Sequence, residues 1–183
     1  MNLKKNLVDI IKVNPQKCLY FFDEARFGTR SNTGYGWFER GTRTQVKVSQ
    51  GFGNFYVYSS IEVATGIDHS LCFPLVNTDC MNMYLEDLSV TLGEKEAILV
   101  MDCAGWHKSK NLRIPENILI VYLPPYSPEL NPVEKFWQYI KSRLIKNRIY
   151  KSLATLENAV SDFITNLDSK TIKITCSINH ALS

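Results

Sequence analysis

The sequence predicts a mixed α/β domain built on one sheet, and two observations lead to this prediction. Strand-like segments come first along the chain and are joined by short turns, which favours antiparallel pairing. Two later apolar runs, residues 97–101 and 118–123, are reached through helical or long connections, which favours parallel pairing. A sheet that contains both kinds of pairing is mixed.

The first half of the chain supplies a short helix and three predicted strands. The helix is expected over residues 3–12, where apolar residues recur at helical spacing and Pro15 follows. The first strand is an unbroken apolar run that stops at Asp23, as expected of a strand buried on both faces. A turn-rich stretch covers residues 28–53. The three strands cover residues 18–22, 55–63 and 70–76.

The second half of the chain supplies the longer helices and the two remaining strands. Gly93 is expected to end the first of these helices. Asn131 is a favourable N-cap for the next helix, and Pro132 stands at the favoured first helical position. The predicted helices cover residues 81–92, 132–147 and 153–167.

The composition excludes several classes of protein. The chain has 183 residues, of which 45% are hydrophobic and 21% charged, as in folded globular domains. Its five cysteines form no CxxC pair, which favours reduced thiols and a cytoplasmic location over a secreted disulfide framework. The longest apolar runs have five to six residues, far short of the roughly 20 that cross a bilayer. A net charge of +3 does not by itself identify a nucleic-acid partner.

Two buried strands are predicted to end in the same way, at Asp23 and Asp102. A carboxylate at the end of a buried strand is costly to desolvate, and the ends of neighbouring parallel strands open into one cleft. The alternative interpretation is that each aspartate only leaves the core and starts a turn. Glu24 is expected to point to the opposite face of its strand from Asp23.

A third carboxylate, Glu134, falls in the first turn of the helix that follows Asn131. The alternative here is structural, because the spacing of Asn131 and Glu134 is close to that of a capping box. If Glu134 converges with Asp23 and Asp102, the three negative charges require a cation. Ligation by oxygen alone favours Mg²⁺ or Mn²⁺, and two such ions can activate a water and stabilise the leaving oxygen of a phosphodiester.

Several segments of the chain together resemble the catalytic domain of DDE transposases, and more narrowly the bacterial insertion-sequence branch related to mariner elements. The segments are FFDEARFG (21–28), GW (36–37), VMD (100–102), WHKS (106–109) and YSPELNPVEKFW (126–137). The resemblance implies a ribonuclease-H-like fold, which is a single mixed β-sheet with helices on both faces. It places this catalytic domain at residues 16–183, after an N-terminal helix or linker remnant at residues 1–15.

The resemblance also implies an activity and its cofactors. The activity is metal-dependent DNA strand cleavage and strand transfer, with Asp23, Asp102 and Glu134 as the catalytic, metal-binding triad for two Mg²⁺ or Mn²⁺ ions. The implied partners are transposon ends, target DNA and further copies of the chain. Many relatives carry an upstream helix-turn-helix region, for which there is no room before residue 18, so either a separate helix-turn-helix subunit supplies it or the chain is a truncated copy. The implied location is the bacterial cytoplasm, in association with the nucleoid.

Polar and basic residues near the triad are predicted to contact DNA. These residues are Arg26, His107, Gln138, Lys141 and Arg148. The last three lie within about 40° of Glu134 on an ideal helix, so the face that presents Glu134 also presents two cations to phosphates. His107 follows Asp102 closely, where it is expected near the scissile phosphate or in orienting Asp102. The alternative for the basic residues is an ordinary solvated helix face.

Two classes of function remain open from the sequence. The first is a metal-dependent DNA endonuclease and strand transferase, which the three carboxylates favour. The second is an inactive or repurposed transposase fragment that binds DNA or a partner subunit. The second class is favoured by Cys103, which stands where members of the family commonly have Asn directly after the second aspartate.

Overall fold

The computed structural model of the chain describes residues 9–30, 50–125, 127–146 and 148–177. Five strands form one mixed sheet in the order β3-β2-β1-β4-β5. The strands are β1 (Cys18–Arg30), β2 (Gln50–Glu62), β3 (Ile67–Phe73), β4 (Ala97–Met101) and β5 (Ile118–Tyr122). Strand β2 pairs antiparallel with β1 and β3, whereas β4 pairs parallel with β1 and β5. The predicted mixed sheet is confirmed.

Helices cover both faces of this sheet. They are α1 (described over residues 9–13), α2 (Thr78–Leu92), α3 (Val133–Leu144), α4 (Leu153–Thr165) and α5 (Ser169–Thr175). Helix α2 packs on the face that carries Tyr20 and Phe22, while α3, α4 and α5 pack on the face that carries Phe21 and Phe27. Successive residues of a strand point to opposite faces, so one apolar run in β1 supplies both cores. The predicted ribonuclease-H-like arrangement of helices is confirmed.

Strand β1 is longer than the sequence predicts. The apolar run stops at Asp23, but the strand continues to Arg30. Parallel pairing with β4 ends at Phe21, opposite Val100, whereas antiparallel pairing with β2 continues past Asp23, which lies opposite Ser59. The apolar run therefore marks how far β4 covers β1, and the expectation that β1 ends at Asp23 is wrong.

Helix α3 is shorter than the sequence predicts. It ends at Leu144 instead of near residue 147, and the Tyr150 hydroxyl donates a hydrogen bond to the Leu144 carbonyl at 2.8 Å. A carbonyl in the last turn has no partner within the helix, so a side chain from the following segment satisfies it. Arg148 consequently lies beyond the helix, so the angular position calculated for it on an ideal helix does not apply.

The predicted end of α2 at Gly93 is confirmed, whereas the helix begins at Thr78, earlier than the predicted residue 81. The Asn77 side chain accepts a hydrogen bond from the Cys80 N–H at 2.8 Å, as an N-cap does. Gly93 ends the helix with φ at 59°, a conformation that glycine adopts without strain. Residues 3–8 of the predicted first helix and residues 31–49 of the turn-rich stretch lie outside the described residues. No helix in the described ranges is long and apolar enough to cross a membrane.

Candidate active site

An open cleft of about 590 Å³ contains all three predicted carboxylates in its lining. Asp23 comes from the middle of β1, Asp102 directly follows β4, and Glu134 lies in the first turn of α3. These elements are distant in the sequence and meet because β1 and β4 are neighbours in the sheet and α3 packs on one face of β1. The fold thus brings three acidic side chains to one cavity.

One buried side chain, Asn131, joins the strand of Asp23 to the helix of Glu134. Its Nδ2 donates to the Phe22 carbonyl at 2.8 Å, and its Oδ1 accepts from the Val133 N–H at 3.2 Å. Among the described residues, no hydrogen bond from the Asn131 N–H to the Glu134 carboxylate completes a capping box. The Glu134 side chain lines the cleft instead.

The carboxylate of Asp23 stands in an environment that opposes its negative charge. Burial, followed by the charges of Glu24, Glu134 and Asp102, raises the pKa of Asp23 from its ordinary value of 3.8 to about 8. The neighbouring carboxylates repel the ionised form, and burial removes the water that would solvate it. A cation in the cleft would offset both effects.

The carboxylate of Asp102 has the opposite electrostatic environment. A hydrogen bond from His107 Nδ1, at 2.8 Å from Asp102 Oδ1, holds the pKa of Asp102 below its ordinary value. The Ala104 N–H donates to the same oxygen at 2.9 Å. Because its pKa is lowered, Asp102 is ionised at neutral pH. Its side chain is 57% exposed and is therefore open to the cleft.

Two of the predicted DNA-binding residues do not face the cleft. His107 is 1% exposed, so it is in no position to contact DNA directly, and the structure favours its other predicted role, the orientation of Asp102. Arg26 lies three residues after Asp23 in β1 and therefore on the opposite face of the sheet. Its guanidinium donates to Asn54 Oδ1 at 3.0 Å.

The other three predicted DNA-binding residues lie on or after α3. Gln138 is exposed, whereas the Lys141 ammonium stands 5.6 Å from the centroid of the Phe27 ring, in a cation–π contact. Arg148 lies beyond the end of α3, so the prediction that it shares the helical face of Glu134 is wrong. None of these three residues is among the described side chains that line the cleft.

The sequence indicates no role for two charged residues near the triad, although it correctly places Glu24 on the face of β1 opposite Asp23. Lys108 lines the cleft, with its ammonium 5.1 Å from the centroid of the Tyr122 ring. Glu24 is 12% exposed, and its Oε2 lies 3.6 Å from His107 Nε2 on the face away from Asp23. The position of Lys108 and the contact of Glu24 with His107 both depend on the 3₁₀ turn Gly105–Lys108, whose direction no local pattern in the sequence predicts. Cys103 also lines the cleft and donates its thiol proton to the Leu123 carbonyl at 3.1 Å.

The side chains of the cleft fit a magnesium or manganese ion by their chemistry. Three carboxylates supply only oxygen donors, which these hard cations prefer. Within the described ranges, no three His, Cys, Asp or Glu side chains form a ready-made metal cluster. The fit therefore depends on the donor set and on the raised pKa of Asp23, which a bound cation would bring down.

Comparisons with known proteins place this arrangement in context. The sequence profile of the DDE superfamily endonuclease family matches residues 18–157. Uncharacterized protein y4pE/y4sA of Sinorhizobium fredii (strain NBRC 101917 / NGR234) is 36% identical over 97 residues, which are 52% of this chain and 72% of that protein.

Solved structures show the same fold. The catalytic domain of Mos1 mariner transposase aligns with a TM-score of 0.64 and 14% identity over 94% of this chain and 82% of that chain. The Mos1 mariner paired end complex with Mn aligns with a TM-score of 0.70 and 15% identity over 94% of this chain and 56% of that chain. The chain thus spans about half the length of the Mos1 chains in the DNA complexes.

The Asn131→Ala substitution should lower the free energy of unfolding by about 2–4 kcal/mol. It removes a helix cap, worth about 1 kcal/mol, and leaves the buried Phe22 carbonyl unpaired, at about 1–3 kcal/mol. Urea denaturation followed by circular dichroism measures the loss. The matched control is Asn77→Ala, which removes only a cap and should lose about 1 kcal/mol. Equal losses in the two variants would contradict the role assigned to Asn131.

The Asp23→Asn substitution should make the metal-free protein more stable at pH 8 but not at pH 4. Because the folded-state pKa of about 8 exceeds the ordinary 3.8, the contribution of Asp23 is fully favourable below about pH 4 and is lost as the pH rises through 8. The variant should therefore gain on the wild type over this range, by at least about 1 kcal/mol at pH 8. Urea denaturation in chelator at several pH values measures the gain.

The control for this experiment is Glu129→Gln, which neutralises an exposed acid outside the cleft and should keep the wild-type pH dependence. A stability difference between Asp23→Asn and wild type that stays constant from pH 4 to pH 8 would show that the Asp23 pKa is not raised.

Proposed function

The chain belongs to the DDE superfamily endonucleases, and on this basis we propose that it is the catalytic domain of a transposase. The proposed reaction is divalent-metal-dependent cleavage of DNA strands followed by strand transfer. The observation that supports it most directly is the meeting of Asp23, Asp102 and Glu134 in one cleft. The Mos1 transposase, whose catalytic domain shares this fold, supports the same reaction class.

Before Mg²⁺ or Mn²⁺ ions bind, two of the three carboxylates differ in their ionisation. Asp102 is ionised before any ligand arrives, because His107 and the Ala104 N–H stabilise its negative charge. Asp23 retains its proton up to about pH 8 and would release it as a cation binds. Divalent ions bound there supply activation of the attacking oxygen and stabilisation of the leaving oxygen at the phosphodiester. A Mos1 paired end complex described with Mn supports this choice of metal.

DNA is the proposed partner of the cleft. Lys108 places a cation in the same cavity as the carboxylates, where it can contact a phosphate next to the one that reacts. Gln138 and Lys141 remain candidates for contacts farther along the strand, on the helix that carries Glu134. Mos1 is described in a paired-end complex with a transposon end, which supports transposon ends and target DNA as the substrates.

The proposal extends to an assembly. Joining two transposon ends to one target requires two active sites held together, so two or more copies of the chain would act jointly. A separate helix-turn-helix subunit that recognises the ends belongs to the same proposal, as does action at the bacterial nucleoid.

Purified protein should nick supercoiled plasmid in Mn²⁺ or Mg²⁺ and not in chelator, because the reaction requires divalent ions held by the carboxylates. Asp102→Ala should reduce nicking to background, whereas Glu129→Gln, outside the cleft, should nick like the wild type. Agarose gel electrophoresis of the plasmid measures the rate. Nicking that persists in chelator or in Asp102→Ala would contradict the proposal. Intact DNA binding without nicking would favour the inactive or repurposed binding module.

The Lys108→Gln substitution should weaken DNA binding equally for all sequences, because a phosphate contact carries no base information. The slope of log affinity against log salt concentration should become shallower by about 1. Fluorescence anisotropy with labelled duplexes at several salt concentrations measures both effects. The control is Lys170→Gln, an exposed residue of α5 outside the cleft. Equal effects of the two substitutions would show that Lys108 has no specific place on the DNA path.

A further inference from the structure

A row of three titratable side chains runs from the cleft into the protein interior. His107 Nδ1 lies 2.8 Å from Asp102 Oδ1, and His107 Nε2 lies 3.6 Å from Glu24 Oε2. Along the row, the Asp102 side chain is 57% exposed, the His107 side chain 1% and the Glu24 side chain 12%. The imidazole is therefore enclosed between a carboxylate that faces the cleft and one that does not.

The position of one proton in this row follows from the chemistry of the groups. An ionised Asp102 can only accept hydrogen bonds, so Nδ1 of His107 must carry the proton that it donates. The Ala104 N–H donates to the same oxygen, Oδ1. Both observed bonds are thus made by one carboxylate oxygen, which leaves Oδ2 for a ligand in the cleft.

The second contact of the row joins two atoms that have no other partner. Glu24 Oε2 and His107 Nε2 are both buried, and neither has a hydrogen-bond partner among the described residues. They face each other at 3.6 Å, and one proton between them makes the contact attractive, as imidazolium with carboxylate or as imidazole with carboxylic acid. In either form, Glu24 holds the ring with Nδ1 directed at Asp102.

The walls around the imidazole restrict its rotation. The Phe22 ring meets it edge-on, with centroids 5.5 Å apart, and the Trp106 ring lies 5.7 Å away. Glu24 and Phe22 belong to β1, whereas His107 belongs to the turn after β4. The row therefore connects the two strands beyond Phe21 and Val100, where their own pairing stops.

We propose that Glu24 and His107 are positioning residues that fix the carboxylate of Asp102 and thereby sustain the rate of strand cleavage. The inference rests on the proposed function, which gives Asp102 its task. Neither residue touches the substrate in this assignment: His107 acts through Asp102, and Glu24 acts through His107.

Two measurements on the full chain test this inference. The first is plasmid nicking in Mn²⁺, in which Glu24→Ala and His107→Ala should each be slower by about 10- to 100-fold, as is usual when the support of a metal ligand is removed. The second is ¹H–¹⁵N NMR of the imidazoles in metal-free protein. With three histidines in the chain, the signal of His107 is identified by its loss in His107→Asn.

The wild type should show a slowly exchanging proton on Nδ1 of His107, and Glu24→Ala should shift or broaden this signal. His107→Asn should nick faster than His107→Ala, because an asparagine amide can still donate to Asp102. The matched control is Asp87→Asn, which neutralises the carboxylate 3.1 Å from His69 Nε2, outside the lining of the cleft. This control should leave nicking and the His107 signal unchanged.

The outcomes separate this inference from the proposed function. If Glu24→Ala nicks at the wild-type rate with an unshifted His107 signal while Asp102→Ala is inactive, the inference is overturned and the proposed function stands. If the wild type nicks with no metal, the proposed function fails, and the metal-free NMR still decides the inference. A His107 without a proton on Nδ1, or one that does not respond to Glu24→Ala, overturns it in either case.

Discussion

The whole site depends on the point at which one ladder of backbone hydrogen bonds ends. Strand β1 stays paired with β2 well past Asp23, but its pairing with β4 ends where Phe21 meets Val100. Beyond this point one edge of β1 is held by β2 and the other is open. The cleft, the 3₁₀ turn after β4 and the start of α3 occupy the space along that open edge. A rigid strand therefore carries acidic side chains beside a cavity, which a loop could not hold as firmly.

Two successive residues of β1 use this open edge in opposite ways. Asp23 points to the face covered by α3, where its neighbours include the carboxylate of Glu134, and burial among these charges raises its pKa to about 8. Glu24 points to the other face, where its neighbour is the imidazole of His107. On one face, the carboxylates repel one another, and a bound cation would offset this repulsion. On the other face lies His107, whose hydrogen bond, together with one from the Ala104 N–H, holds the cleft-facing carboxylate of Asp102 in its ionised form.

A feature of the fold or of the site can be predicted from the sequence when the residues that cause it lie close to it along the chain. The end of helix α2 is predictable because Gly93 acts on the turn directly before it, whereas the start at Thr78 lies outside the apolar pattern that begins at residue 81. Asp23 and Asp102 can be named because each ends an apolar run, whereas Glu134 could equally be a capping residue by its spacing and is assigned to the site only through the resemblance to DDE transposases. Strand β1 is longer than its apolar run because it stays paired with β2. The last turn of α3 is bonded by the Tyr150 hydroxyl. Neither contact can be predicted from the spacing of apolar residues in the segment itself. The contact between Glu24 and His107 is also non-local, because it joins β1 to the 3₁₀ turn that follows β4, and these two segments are far apart in the sequence.

If Asp23, Asp102 and Glu134 form one site for divalent metal ions, manganese should bind between them. X-ray diffraction from crystals of the chain saturated with manganese chloride, measured at a wavelength where manganese scatters anomalously, locates the bound ions. We expect one or two anomalous peaks, with oxygens from all three carboxylates within about 2.0–2.6 Å of a peak. Anomalous peaks only at other side chains, or none at all in saturated crystals, would contradict it.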